Sequence, residues 1–177
     1  MTKEMLDIYD EEGHPIGVKS YDDVHREGNW HKVVGLFLIN SRNEILMQRR
    51  SLKKSISPGL LTVSAGGHLR TGEDDYACMK RELQEEMGVN MDIHSARLLY
   101  ACKDSKISKN KIDNVFLAGY TLHCDIDPSV IKCDKNEVEE FLYIPCSELR
   151  KMFDEGVKLG INNHVMTALF KYMEDIQ

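Results

Sequence analysis

Gly67-His68-Leu69-Arg70-Thr71-Gly72-Glu73, followed after seven residues by Arg81-Glu82-Leu83-Gln84-Glu85-Glu86-Met87-Gly88-Val89, is the stretch that governs how the rest of the chain is read. A glycine-rich turn runs into a predicted helix that carries three carboxylates within five positions and stops at Gly88, a residue suited to a left-handed C-terminal cap. With about 100° of rotation per residue, Glu82, Glu85 and Glu86 fall in a sector of roughly 100° on the helix surface. Like charges so close repel, and the arrangement costs stability unless a cation sits among them. Hard oxygen donors with no cysteine or histidine in the set favour Mg²⁺ or Mn²⁺ over zinc.

Tyr76, Met79, Leu83 and Met87 share a neighbouring face about a quarter-turn away, which reads as the side packed on the core. A solvated acidic face is the ordinary reading of a lone Glu-Glu pair. It does not suit this segment, because the spacing from Gly67 through Glu73, Arg81 and Glu82 to Glu85, Glu86 and Gly88 matches the box of the Nudix hydrolases at every fixed position. The chain therefore resembles that family, and the resemblance implies an α/β fold in which a mixed β-sheet is sandwiched between helices.

Elsewhere the residues speak for themselves. The 177 residues, 42% hydrophobic, suffice for one domain with a proper core, and we read residues 1–177 as a single domain. A formal net charge of −6 argues against a surface that grips nucleic acid by counterion release, while leaving room for a local basic patch that takes a small anion. Cys78, Cys102, Cys124, Cys133 and Cys146 form no Cys-x-x-Cys pair and no zinc-like spacing, which points to free thiols in a reducing compartment. The start of the chain is polar and acidic within a few residues, so no signal peptide is expected, and no apolar run approaches the ~18 residues of a membrane span. These features place the protein in the cytoplasm.

Met5–Asp10 and Pro15–Ser20 read as strands of an N-terminal hairpin within an extension over residues 1–29, with an edge that could pair across a homodimer. Tyr21–Asn29 is polar, a short helix or loop holding His25. Trp30–Asn40 and Glu44–Arg49 read as core strands. Arg49, Arg50, Lys53 and Lys54 then crowd ahead of Pro58-Gly59 in a loop suited to phosphates, with Arg49, Arg50 and Lys54 as candidate substrate contacts. Leu60–Ala65 delivers the chain to Gly66-Gly67. Met91–Lys103 and Ile112–Ile126 are predicted strands joined by a polar loop over 104–111. Glu140–Ile144 is a last strand, followed by a helix from Ser147 and another from about Asn162 to Asp175.

The resemblance implies water attack on phosphorus in a small-molecule diphosphate, with Glu82, Glu86 and Glu85 as metal ligands, Glu85 able to act as base, and Mg²⁺ or Mn²⁺ as cofactor. It makes Arg81 and Glu73 the pair that fixes the loop against the helix. Glu137, Glu139 and Glu140 are further acids from which an additional ligand or base could come. Cys78 reads as a small packed side chain.

The N-terminal half is also similar to isopentenyl-diphosphate isomerase, through Val24-His25 to His31, Gln48-Arg49-Arg50-Ser51, Pro58-Gly59 and Gly67-His68. That resemblance implies a metal held by histidines at the places of His25, His31 and His68, and a cysteine for acid–base chemistry at the place of Gly66. Glycine cannot shuttle a proton, the His25–His31 spacing is one residue short, and Lys109 and Lys111 stand where metal-binding glutamates are expected. The expectation is thus an isomerase site lost or never formed, with each histidine read first as a packing residue, and hydrolysis as the reaction. Isomerisation and a non-catalytic nucleotide-sensing module are the alternatives.

Overall fold

A computed structural model describes residues 3–54, 57–108 and 111–176. The chain opens with β1 (Met5–Tyr9) and β2 (Pro15–Ser20), an antiparallel hairpin separate from the main sheet. Ser20 caps α1 (Tyr21–Glu27), whose inward residues are Val24 and His25, so the stretch read as helix or loop is a helix.

β3 (His31–Ile39), β4 (Glu44–Arg50), β5 (Leu61–Thr62) and β6 (Ala65–His68) lead to α2 (Asp75–Met87). β7 (Arg97–Ser108), β8 (Lys111–His123) and β9 (Val138–Pro145) follow, then α3 (Cys146–Asp154) and α4 (Asn163–Asp175). The sheet order is β5-β4-β3-β8-β7, with β6 on β3 and β9 on β4. Only β3 and β8 run parallel among these pairs, bringing Gly35 beside Gly119 and His31 beside Val115.

β3 is apolar along nearly its whole length because both faces are covered. Val34, Leu36 and Leu38 pack against Met79, Leu83 and Met87 of α2, whereas Phe37 and Ile39 pack against Val165, Leu169 and Phe170 of α4. This is the mixed sheet between helical layers expected from the sequence.

Two expectations are corrected. Met91–Ala96 is not strand, and residues 104–108 are not loop but the second half of β7, paired from Asp104↔Val115 to Ser108↔Lys111. β7 lies at the sheet edge, so the polar residues there take a strand's period without needing a buried face. Lys109 lies outside the described residues.

Candidate active site

Asp74 begins α2 by accepting from the Ala77 amide at 2.8 Å, and Gly88, at φ 68°, ends it. Between them the helix turns Glu82 and Glu86 toward β6, where both meet backbone. Glu86 accepts from the Gly66 amide at 3.1 Å, and a Cβ on Gly67 would collide with the Glu82 carboxylate. The glycines in this turn are thus required by the close approach of strand and acids.

Arg81 is the hinge of the site. Its Nε and Nη2 donate to Glu73 at 2.7 and 2.9 Å, Nη2 also donates to the His68 carbonyl at 2.9 Å, and Nη1 donates to Glu82 and Glu85 at 2.5 and 3.2 Å. One planar fork therefore ties the loop acid, the end of β6 and two helix acids together. Although burial acts against the charge, Glu73 and Glu82 hold its guanidinium well above the usual range. Glu85 stands farther out, with Arg70 donating to both its oxygens at 3.1 and 3.2 Å. Cys78 is buried, which pushes its thiol up to about 12, in keeping with a packed side chain.

Burial also pushes Glu82 up to about 7 and Glu86 up to about 8, the neighbouring Glu82 charge adding to the latter. Two such carboxylates side by side are short of positive charge despite Arg81. A divalent cation would relieve both, so the donor set fits a hard metal ion.

These acids line a cavity of about 560 Å³. Arg50 and Lys54 line it as well, and Lys54 pairs with Glu137 across its rim. Arg49 does not: strand alternation turns it away from Gln48 and Arg50, and it pairs with Glu140 at 2.6 Å. Among the three acids considered outside the box, Glu137 faces the cavity, while Glu140 is engaged with Arg49 and Glu139 offers its carbonyl to Lys135.

A second cluster adjoins the first. His25, His31, His68 and Asp113 place one ligand atom each within 4.8 Å of one another. His25 and His31 are 1% and 0% exposed, so these are not surface rings. His25 Nδ1 lies 2.7 Å from the Tyr21 carbonyl and His31 Nδ1 3.0 Å from the Asn29 carbonyl. A carbonyl can only accept, so each Nδ1 carries a proton and each Nε2 is the ring atom turned toward the centre of the cluster. Those Nε2 atoms, with His68 Nε2 and Asp113 Oδ1, are buried without hydrogen-bond partners. Asp113 Oδ1 faces the Nε2 atoms of His25 and His31 at 3.5 and 3.3 Å. Burial, together with the neighbouring His31, pushes His68 down to about 3, so its ring stays neutral. Burial alone would raise Asp113, but the surrounding imidazoles hold it well below the usual carboxylate range. Three imidazole nitrogens and a carboxylate oxygen converging on one buried point are a donor set that suits a cation.

The three histidines, which the sequence left open between packing residues and ligands, converge on one centre. Lys109, one of the two lysines read at its carboxylate positions, lies outside the described residues. Lys111 lies over the Tyr21 ring at 4.9 Å, and the acid comes from Asp113, two residues on along β8 and on the same side of the strand. That alternation was the available signal. Arg70, also unflagged by the sequence, gave none, because its role depends on where Glu4 and Glu85 come to lie.

The NUDIX domain profile matches residues 29–160. An uncharacterised Nudix hydrolase of a Nostoc species is 30% identical over 86% of this chain and 87% of its own length. Isopentenyl-diphosphate Delta-isomerase 2 of Photorhabdus laumondii is 29% identical over 86% of this chain and 84% of its own. Nudix hydrolase 3 of Arabidopsis thaliana is 28% identical over 88% of this chain, which spans only 21% of that longer protein. A crystal structure from Deinococcus radiodurans superposes with a TM-score of 0.71 at 24% identity, covering 97% of this chain and 98% of that one. A profile spanning most of the chain, and a relative alike along nearly the whole of both proteins, make this chain a member of the Nudix hydrolase family.

Proposed function

We propose that the protein hydrolyses a diphosphate linkage in a small substrate of nucleoside-diphosphate type or a related kind, with Mg²⁺ or Mn²⁺ held by Glu82, Glu86 and Glu85. The observation that carries this reading is the pair of buried, charge-starved carboxylates in a cavity that also receives Arg50 and Lys54. The cation would neutralise the diphosphate and lower the pKa of a bound water. Arg81 and Glu73 hold the loop against the helix and so position the acids. Glu85, farther out, is the acid with access to a water at the cavity, as ligand or as base. Arg50 and Lys54 receive phosphate oxygens; Arg49 instead joins β4 to β9 through Glu140. Free cysteines at all five positions favour a reducing compartment such as the cytoplasm, and no helix among the described residues is long and apolar enough to cross a membrane.

The histidine centre supports a second, separate cation. Three imidazole nitrogens and one carboxylate oxygen suit Mn²⁺, Fe²⁺ or Zn²⁺ better than Mg²⁺. It also keeps isomerisation in view, yet Gly66 weighs against that chemistry: a Cβ there would stand 2.6 Å from the Val34 carbonyl, so the strand pairing leaves no room for a proton-shuttling side chain.

The test is phosphate release from a panel of diphosphates with Mg²⁺. Wild-type turnover lost in Glu86→Gln and Glu82→Gln, with thermal midpoints retained, supports hydrolysis. Turnover unchanged in either variant removes the ligand assignment. Conversion of isopentenyl to dimethylallyl diphosphate would replace the reading with isomerisation, and binding without turnover would replace it with sensing.

A further inference from the structure

The cavity has a far end that the reaction leaves unexplained. Asp104 and Lys106 on β7 and Asn162 at the start of α4 all line it. Between the Gly66-Gly67 end and these residues lie β3 and β8, so three strand spacings, or about 14 Å, separate the two ends across the sheet. The floor between is supplied by Val33, Gly35, Phe37, Val115, Leu117 and Gly119, none of which offers a hydrogen-bonding side chain. A substrate that lies along this floor meets the polar side chains of Asp104, Lys106 and Asn162 at the far end.

Asp104 is held firmly there. Its Oδ2 accepts from Asn162 Nδ2 at 3.0 Å and faces Lys106 Nζ at 3.4 Å, and its Oδ1 accepts from the Ser105 amide at 2.9 Å. Its side chain is 18% exposed against 59% for Lys106, so the acid sits inward and the lysine reaches out. Burial would raise its pKa, but Asn162 and Lys106 bring it below the usual value, keeping it ionised. A carboxylate has about four acceptor sites, and Ser105 is the partner of Oδ1 among the described residues, which leaves acceptor capacity at the cavity.

We propose that Asp104 is the specificity-determining residue for the non-phosphate end of the substrate, accepting hydrogen bonds from hydroxyl or amino donors. This rests on the diphosphate-hydrolase reading for the orientation of the substrate. The class selected is a diphosphate ester whose distal moiety carries donors, such as a sugar or nucleoside, over one with a plain alkyl tail.

Two probes separate these classes, ADP-ribose and n-hexyl diphosphate. Their dissociation constants are measured by calorimetry with Ca²⁺ in wild type and Asp104→Asn, alongside kcat and KM with Mg²⁺. Asparagine keeps an acceptor for Asn162, and the thermal midpoint checks the fold. The expected result is ADP-ribose affinity weakened about 10-fold or more, as for loss of a charged hydrogen-bond acceptor. KM rises in step while kcat stays within about twofold, and hexyl diphosphate is unaffected. Equal affinities of both proteins for ADP-ribose, no binding of either probe, or equal weakening toward both probes would overturn the proposal. Absence of turnover in wild type with the affinity difference intact would instead overturn the hydrolase reading and leave this one standing.

Discussion

Gly67 shows how a single missing side chain defines the site. The Glu82 carboxylate occupies the space a Cβ would need, so strand and acid lie closer than any other residue allows. Gly67→Ala is expected to weaken Mg²⁺ binding by at least about tenfold and to destabilise the fold by about 1–3 kcal/mol, the usual cost of overpacking. A metal titration and a denaturant midpoint check the two effects separately. Arg81 gives a second prediction at this scale. Lysine retains the charge but not the fork, so Arg81→Lys would leave Glu73 and the His68 carbonyl short of donors. A loss of about 2–3 kcal/mol is expected in urea unfolding, with turnover reduced because Glu82 and Glu85 lose a common anchor. Unchanged stability would mean that the fork is not what holds the loop.

At the scale of elements, β6 serves two centres with consecutive residues. Gly66 and Gly67 face the acids of α2, and His68 reaches the imidazole cluster completed by α1, β3 and β8. Four unsatisfied polar atoms buried together are costly, at about 1–3 kcal/mol each, and a bound cation removes that cost. Mn²⁺, Fe²⁺ or Zn²⁺ at about 100 times its dissociation constant should therefore stabilise the protein by about 2.7 kcal/mol. Asp113→Asn should reduce the effect and His31→Ala abolish it, as read by thermal midpoints with and without metal. A metal response unaltered in His31→Ala would locate the stabilising ion elsewhere. The sequence made α2 and its acids legible because fixed spacing along one helix puts them on one side. The isomerase resemblance named His25, His31 and His68 together but not Asp113, and spacing alone could not join the four, since they come from four elements and meet only once β3 pairs with β6 and β8. The outer half of β7 escaped for a related reason: Ser105, Lys106 and Ile107 are all exposed there, so no alternation of buried and exposed residues marks the strand.

At the scale of the whole molecule, these buried groups should make stability depend on pH in a way that reports the metal. Glu82 and Glu86, raised to about 7 and 8 in the folded protein, ionise near 4.5 when unfolded. The folded state thus binds more protons than the unfolded state between those values, and stability falls as pH rises through them. His68 works in the opposite sense. Buried and neutral, it lowers stability as pH falls below its unfolded value of 6.5, so the glutamates act alone only above that point. From pH 6.5 to 8.5 the metal-free protein should lose on the order of 2 kcal/mol, or roughly 5 °C in thermal midpoint. Saturating Mg²⁺ should flatten the slope, because the ion supplies the charge the ionised pair lacks. Glu86→Gln should flatten it without metal, because the group with the higher value no longer titrates. A midpoint in the metal-free protein that holds steady or rises across this window would show that Glu82 and Glu86 are already compensated, and would remove the physical reason for placing a cation between them.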